Sequence, residues 1–517
     1  MKFFRPAPLL LMQALALLLA LPSCRENPNA TTAPTPVAEP MLVVAKTDPS
    51  LSVIRIHSTI QSWNPAQPWE KNPSRNRSAL GALVAQNQVL TTAEMVADAI
   101  YIELESTDGK RRAPARVKCV DYEANLAVLT LNNEEKVTEF FAGLIALDIA
   151  PSPDLRDTLE IIQVENNGQS LVTPAQLLSA EVVSTFLPGQ FFLTYRLKGS
   201  LQSSASSYSV PVFQNNQLAG ILSSYDAKDQ ISDVIATPLL TRFLAEAQKE
   251  SYQGFPNIGI SFSPTEDDHF RRWLKLPADQ GGIYISKVRK GSAADVAELR
   301  KGDVILSIEG HPIDRRGYYT DPQYGSLHWV QLVRGTKSAG DQIKLKIWRD
   351  AKEIEVAATL TRQEESTRLV PNYSFGKAPN FLIKGGLIFQ ELTKPLLEAY
   401  GEEWQSSAPL NFLDALSNPE KYQENHDSMI CLTAVIPTQA TVGYESLRNM
   451  IISKVNGKPV RNMKEMLQAF SKPRLGSPSH SIEFLEENLV VHLDEQLSNA
   501  IDQALLKRGL QKLSRAE

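Results

Sequence analysis

The sequence is poor in the residues that build metal centres and covalent cross-links. Of its 517 residues, only three are cysteine and seven are histidine. Neither set has the spacing of a metal site, and the sequence has no glycine-rich phosphate loop or dinucleotide-binding fingerprint. The net charge of −5 gives no electrostatic footprint for nucleic acid. We therefore expect no metal, no cofactor and no nucleic-acid partner.

The sequence also lacks an apolar run long enough to span a bilayer comfortably. Residues 9–21 are almost uninterruptedly apolar and follow two basic residues, Lys2 and Arg5, which is typical of a secretory signal. The Leu-Pro-Ser-Cys sequence that ends this region resembles the bacterial lipobox. It predicts a lipoprotein signal peptide over residues 1–23 and lipidation of Cys24. The alternative is a plain secretion signal.

Residues 24–48 are rich in proline, threonine and alanine, which predicts an extended tether. A lipid, a tether and then folded domains would hold the protein on a membrane of the bacterial cell envelope, on the periplasmic side or at the outer membrane. The two remaining cysteines, Cys119 and Cys431, fall in different predicted domains. We therefore expect no structural disulfide.

Past the tether, apolar residues alternate with polar ones over short stretches, a pattern typical of β-strands. These stretches are residues 51–58, 79–92, 99–106, 115–131 and 191–197. Helical spacing follows at residues 236–250. The pattern predicts an all-β barrel or sandwich up to about residue 225, closed by a helix, and the chain is long enough for two to four domains.

The order of several segments resembles that of a known family. SVIRI, TTAEMV, DGKRRAPARVKCVDYEANLAVLTL, SVPVFQNNQLAGI and DVIATPLLTRFL resemble the HtrA/Deg family of trypsin-like serine proteases, and most of all its plant Deg-type branch. The resemblance implies a mostly β fold, with a trypsin-like double β-barrel at residues 49–250 and two PDZ-like α+β domains at 251–363 and 375–517. It also implies a trimer-based homo-oligomer.

The resemblance places the three catalytic positions of the family on unsuitable residues. The histidine position falls on Glu94, the aspartate position on Asn125 and the nucleophilic serine position on Tyr208. A glutamate of ordinary pKa is a feeble base toward a serine hydroxyl. An asparagine carries no charge to stabilise an imidazolium, and a phenol replaces the hydroxymethyl group of the nucleophile.

The oxyanion hole is also expected to be absent, for a reason independent of the three catalytic positions. The family shapes it with glycines around the nucleophile, and this sequence has Ser206, Ser209 and Val210 instead. The resemblance therefore implies an inactive protease-like domain. The alternative is an active serine endopeptidase with a non-standard site, in which Ser207 or Ser209 pairs with His57.

The first PDZ domain is expected to bind an extended peptide at a sheet edge and to hold its C-terminal carboxylate with backbone N–H groups. The resemblance places this carboxylate loop at Ile258, Gly259 and Ile260. A helical segment at residues 326–335 carries four apolar residues that either line the groove or pack in the core. They are Leu327, Trp329, Val330 and Val333.

An internal repeat supports a second PDZ-like unit. VILSIEGHPI at residues 304–313 recurs as IISKVNGKPV at residues 451–460. The second unit has no clear carboxylate loop, so we expect it to pack against neighbours or mediate oligomer contacts. Residues 497–513 are expected to form an amphipathic helix docked on this domain.

The sequence thus predicts a catalytically inactive envelope lipoprotein that binds peptides or unfolded chains through its first PDZ domain. An adaptor, scaffold or chaperone-like role in protein quality control would follow. The alternatives are the non-standard serine endopeptidase and a purely structural assembly protein.

Overall fold

Two closed six-stranded β-barrels form the first half of the described chain. The computed structural model describes residues 48–165, 167–202, 209–485 and 489–517. The first barrel contains β1 (Val53–Ile60), β2 (Arg75–Ala85), β3 (Gln88–Thr91), β4 (Ala99–Glu105), β5 (Arg112–Asp121) and β6 (Leu126–Leu131). Their order around the barrel is β1-β2-β3-β6-β5-β4.

The second barrel has the order β10-β11-β12-β9-β8-β7. Its strands are β7 (Thr158–Val164), β8 (Ser170–Ser184), β9 (Phe191–Lys198), β10 (Val210–Gln214), β11 (Gln217–Asp226) and β12 (Ile231–Ala236). Helix α1 (Val137–Phe140) lies between the barrels in sequence, and α2 (Thr237–Glu246) follows them. Apolar side chains of both barrels, such as Leu80 and Phe213, belong to one buried core cluster. Burial of this apolar surface is the main force that holds the barrels together.

A third sheet follows the path β13-β14-β15-β19-β20, with β16 paired to β15 and a separate β17–β18 hairpin. Its strands are β13 (Ile260–Ser263), β14 (Ile283–Val288), β15 (Val304–Ile308), β16 (His311–Pro312), β17 (Tyr318–Asp321), β18 (Gly325–His328), β19 (Gln342–Arg349) and β20 (Lys352–Thr359). Helices α3 (Asp268–Trp273) and α4 (Ala293–Val296) flank it. Strand β13 is an edge of this sheet.

A fourth sheet repeats this order as β22-β23-β24-β26-β27 and extends it with β21 and β28 on the β22 side. Its strands are β21 (Phe381–Lys384), β22 (Leu387–Glu391), β23 (Ile430–Val435), β24 (Met450–Val455), β25 (Lys458–Pro459), β26 (Ser479–Phe484), β27 (Val490–Asp494) and β28 (Ser514–Arg515). Its helices are α5 (Lys394–Glu398), α6 (Trp404–Ser407), α7 (Leu410–Ser417), α8 (Met463–Ala469) and α9 (Glu495–Lys507). The repeated sequence forms equivalent hairpins, β15–β16 and β24–β25.

The predicted fold class is confirmed, since a mostly β double barrel precedes two PDZ-like α+β domains. Two local predictions are wrong. Residues 326–335 are not one helix, because β18 continues to His328 and only Gln331–Gly335 form a wide helical turn. The C-terminal helix ends at Lys507, and residues beyond Gly509, whose φ is +108°, return to the sheet as β28.

The predicted signal peptide, the lipidated Cys24 and nearly all of the tether lie outside the described residues. Among the residues that the structure describes, no helix is long and apolar enough to cross a membrane.

Candidate functional site: a protease-like centre and a PDZ edge

Glu94 and Asn125 meet at the end of the first barrel. Strand β3 leads into a single helical turn, Ala93–Met95, that carries Glu94, and Asn125 lies directly before β6. The backbone N–H of Glu94 donates to Asn125 Oδ1 at 3.1 Å. The two positions that the resemblance assigned to histidine and aspartate are therefore in direct contact.

The electrostatics at these positions differ from those of a protease. Arg77 Nη1 lies 3.5 Å from Glu94 Oε1 and also donates to the Glu94 carbonyl at 3.0 Å. Burial raises the pKa of Glu94, and the Arg77 charge opposes that shift. Asn125 is buried and offers a neutral amide. An ion-paired carboxylate therefore lies at the position that the resemblance assigned to histidine, and the neighbouring Asn125 side chain is uncharged.

Only one serine of the expected nucleophile region lies within the described residues. Ser206, Ser207 and Tyr208 fall outside them. The Ser209 hydroxyl accepts a hydrogen bond from Thr91 Oγ1 at 3.1 Å, and both side chains are fully buried. Its carbonyl accepts from a backbone N–H of β2 at 3.0 Å. Ser209 therefore joins the two barrels and does not present its hydroxyl to a substrate.

Val210, the second replaced glycine position that the structure describes, begins β10. It is 2% exposed and belongs to the core cluster that both barrels share. Its side chain therefore fills the interior of the second barrel.

His57 lies on the face formed by β1, β2 and β4. Its Nδ1 is 2.9 Å from Ser78 Oγ, and its Nε2 is 2.9 Å from Glu105 Oε2. Glu105 also pairs with Arg112 at 2.7 Å. Both ring nitrogens of His57 are thus engaged in the first barrel, and the structure does not bring the ring to Ser209.

An aromatic cluster lies beside this centre, and no local sequence pattern indicated it. Tyr122, three residues before Asn125, packs against Tyr373 and Phe375 with ring centroids 5.4 and 4.7 Å apart. Phe375 also stacks on Phe186 of the second barrel at 5.5 Å. The segment between the two PDZ-like sheets therefore contacts both barrels at the rim of the Glu94–Asn125 centre.

The predicted carboxylate loop at Ile258, Gly259 and Ile260 lies beside the start of α4. Gly259 has a φ of +84°, and a Cβ added there would lie 2.2 Å from Ser292 Cβ, so only glycine fits. The carbonyls of Ile258 and Gly259 accept from Ala294 and Arg289 N–H groups at 2.8 and 2.9 Å. Within the described residues, no protein acceptor receives the N–H of Ile258 or Gly259. These two donors remain for a ligand.

Strand β13 begins at Ile260, and its outer edge carries no partner strand in the part of the chain that the structure describes. Of the four apolar candidates beside it, Leu327, Trp329 and Val333 are buried in the core, and Val330 is half-buried. The core-packing interpretation therefore holds for three of them.

In the second PDZ-like sheet, the edge that corresponds to the open side of β13 is covered. Strand β21 pairs with β22 on the side that corresponds to the free side of β13, from Phe381↔Gln390 to Lys384↔Leu387. Strand β28 then pairs with β21. The chain therefore occupies this edge itself. The Gly385-Gly386 dipeptide between two apolar runs was the available hairpin signal.

Comparisons with known proteins agree with this arrangement. Two PDZ domain models match residues 256–360 and 370–510. Protease Do-like 4, mitochondrial, of Arabidopsis thaliana is 25% identical over 420 residues, which cover 81% of this chain and 76% of that protein. The putative protease Do-like 3, mitochondrial, of the same plant is 24% identical over 88% of this chain and 78% of that protein. The HtrA-type protease AlgW with decapeptide aligns at a TM-score of 0.46 and 17% identity, over 61% of this chain and 96% of that one.

The fold and these similarities define the class: two closed six-stranded β-barrels precede two PDZ domains, and the chain is similar to HtrA/Deg-type proteases. Within that class, it is similar to the Do-like proteins of plants over most of its length.

Proposed function

We propose that this protein is a non-catalytic, HtrA/Deg-like envelope lipoprotein that binds peptides or unfolded chains through its first PDZ domain. The observation that carries the proposal is the pair of unpaired N–H groups of Ile258 and Gly259 beside the free edge of β13. An extended peptide that adds to β13 satisfies that edge and brings its terminal carboxylate to the two donors.

The loss of catalysis rests on the Glu94 centre. Proton transfer from a serine needs a base held in one orientation and able to return the proton to the leaving group. The Glu94 carboxylate is paired with Arg77, and Asn125 has no charge to stabilise a cation. The buried, hydrogen-bonded Ser209 argues against a nucleophile at that position. Adaptor, scaffold or chaperone-like holding is the role we assign.

Cys24 supplies the lipid anchor in this proposal, and the envelope membrane is the location. The second PDZ domain, whose edge is filled by β21 and β28, serves structure or oligomer contacts and not the capture of free peptide. We place the protein in a trimer-based homo-oligomer, in keeping with the family resemblance.

Gly259→Val tests the peptide site. The new side chain would clash with Ser292 and would be strained at a φ of +84°, so the loop must move. We expect the affinity for a fluorescein-labelled Gly-Ser decapeptide ending in Leu-Val to fall by about tenfold or more, as measured by fluorescence anisotropy, because misplaced N–H donors lose a charge-assisted hydrogen bond.

Gly291→Ala is the matched control, since Gly291 also has a positive φ, +75°, but a Cβ there meets nothing within 4 Å. Its affinity should stay near that of the unaltered protein. Equal affinity of the Gly259→Val and Gly291→Ala proteins would contradict the site assignment.

A further inference from the structure

The segment between the two PDZ domains places two aromatic side chains against both barrels. The rings of Tyr373 and Phe375 stack on each other, with centroids 5.5 Å apart and planes 20° from parallel. Phe375 contacts Tyr122 of the first barrel at 4.7 Å and Phe186 of the second barrel at 5.5 Å. We call residues 373–376 the strap, and the surface formed by Tyr122 and Phe186 the rim surface.

The backbone of the strap is also tied to the first barrel. The Gly376 N–H donates to Asp98 Oδ1 at 2.8 Å. Asp98 lies four residues after Glu94, and Tyr122 lies three residues before Asn125. The strap therefore contacts the chain beside both members of the Glu94–Asn125 pair.

The chain on either side of the strap is anchored in folded structure. Val370 is buried in a core cluster of the second PDZ domain, and Phe381 begins β21 and is fully buried. The ten residues between them form neither helix nor strand. Few hydrogen bonds tie such a segment to the fold, so it can detach locally without unfolding of either domain.

The rim surface is suited to a second aromatic ligand. Tyr122 and Phe186 are each only half-buried while the strap covers them. Burial, and secondly the Asp98 charge, raises the pKa of Tyr122 to about 12, so its ring stays uncharged. Detachment of the strap would expose both rings to water, and aromatic rings gain most from packing on another aromatic ring.

We propose that the rim surface is a second peptide site, and that the strap is its internal ligand. An unfolded chain with two aromatic residues two positions apart would displace Tyr373 and Phe375 and pack on Tyr122 and Phe186. This site is separate from the edge of β13 and requires no chain terminus, so it takes internal segments. The inference goes beyond the proposed function, which uses the first PDZ domain alone.

The test uses the full-length protein and two fluorescein-labelled, C-terminally amidated Gly-Ser decapeptides, one with Tyr-Ser-Phe at its centre and one with Ala-Ser-Ala. The Tyr373→Ala/Phe375→Ala protein should bind the aromatic peptide about tenfold more tightly than the unaltered protein, because a tethered internal ligand competes at a high effective concentration. Affinity for the Ala-Ser-Ala peptide should be the same for both proteins. Fluorescence anisotropy measures both affinities.

Two further variants separate the strap from the rim surface. Asp98→Gly removes the acceptor of the Gly376 N–H and leaves the rings intact, and glycine suits the φ of +56° at that position. It should give a smaller gain in affinity for the aromatic peptide. Adding Tyr122→Ala to the Tyr373→Ala/Phe375→Ala protein should abolish the gain, because the ring that receives the peptide is then missing.

Trp273→Ala is the matched control, since Trp273 is a 69% exposed aromatic residue of the first PDZ domain. It should leave the affinity for the aromatic peptide unchanged. Equal affinities of the unaltered and Tyr373→Ala/Phe375→Ala proteins, both folded by circular dichroism, would overturn the proposal. A gain that persists after Tyr122→Ala would overturn it as well. If the double variant does not fold, Asp98→Gly against Trp273→Ala decides in the same way.

Discussion

At the residue scale, the central difference from a protease is the charge at position 94. A histidine there changes between neutral and positive as it takes and returns a proton. Glu94 changes between negative and neutral, and it is paired with Arg77. Asn125 accepts the Glu94 N–H but has no charge to offer. The two positions are in contact, and in our proposal they do not support proton transfer.

Restoring histidine should therefore not restore cleavage. We expect Glu94→His to leave casein hydrolysis at background, because Asn125 cannot fix the ring and position 208 has no aliphatic hydroxyl. Adding Asn125→Asp and Tyr208→Ser should still give little, since losing a single oxyanion donor costs about 10²–10³ in rate. Only a further graft of Gly-Asn-Ser-Gly-Gly over residues 206–210 should yield measurable hydrolysis. Robust cleavage by Glu94→His alone would show that the nucleophile loop is competent.

At the scale of elements, the two PDZ domains share a strand order but differ at one edge. Strand β13 is open on its outer side, whereas β22 is covered by β21 and then by β28. An open edge strand can pair with another chain, either as a binding site or in aggregation, whereas a covered edge cannot. Within the described chain, the same fold thus gives one sheet with an open edge, which we propose binds peptides, and one sheet whose corresponding edge is covered.

A buried histidine ties the second PDZ domain to its last helix. His480 is fully buried in β26, its Nδ1 lies 2.9 Å from Asn456 Nδ2, and its Nε2 contacts Glu495 at the start of α9. Asn456 Oδ1 accepts from the Ser481 N–H, so its Nδ2 must be the donor toward His480 Nδ1. The ring is therefore neutral, with its proton on Nε2.

This geometry predicts that acid destabilises the domain. Burial lowers the pKa of His480 below its ordinary value of 6.5, so the unfolded chain binds the proton more readily. The stabilisation is present above about pH 6.5 and is lost as the pH falls through the lower, folded-state pKa. We expect the melting temperature to fall between pH 7.5 and pH 5.

His480→Gln should flatten the acid-induced fall in melting temperature. Burial also lowers the pKa of His426 and His328, and both contribute to the slope of the unaltered protein. The difference between the two pH profiles therefore isolates His480. Parallel profiles would contradict its role.

The sequence alone was sufficient to predict the strands whose apolar–polar alternation is local. The five predicted strand stretches fall on β1, on β2 and β3, on β4, on β5 and β6, and on β9. It was insufficient where distant residues decide the outcome. Strand β28, for example, forms where β21 offers it an edge, and β21 is distant in sequence. The Glu94–Asn125 pair was placed through family resemblance, since nothing local joins residues 31 positions apart.

At the scale of the whole molecule, the first PDZ domain packs on the barrels through buried charge and aromatic contacts. Arg334 pairs with Glu123 and lies over the Phe192 ring, 4.2 Å from its centroid. Tyr195 of the second barrel contacts Tyr324 at 3.0 Å between hydroxyls. The first PDZ domain is therefore packed against the barrels, and in our proposal the tether and the lipid on Cys24 hold them at a membrane.

Cys24→Ala tests the anchor. Without the Cys24 thiol there is no site for lipid attachment. Because the attached acyl chains are what would anchor the protein firmly in the bilayer, their loss should release it. We expect the variant to leave the membrane fraction or to accumulate with its signal peptide uncleaved, as measured by fractionation and electrophoretic mobility. Cys119→Ala is the control and should remain with the membrane. Identical membrane retention and mobility of the Cys24→Ala and unaltered proteins would contradict lipidation.

The central claim, that the protease-like centre does not cut, is tested most directly by labelling with a fluorophosphonate. This reagent modifies a serine only when a nearby base has activated its hydroxyl. We predict that the purified protein, analysed by mass spectrometry beside an active serine protease, carries no label on any serine of residues 203–209. Stoichiometric labelling of one of these serines, lost when that serine is changed to alanine, would contradict the account.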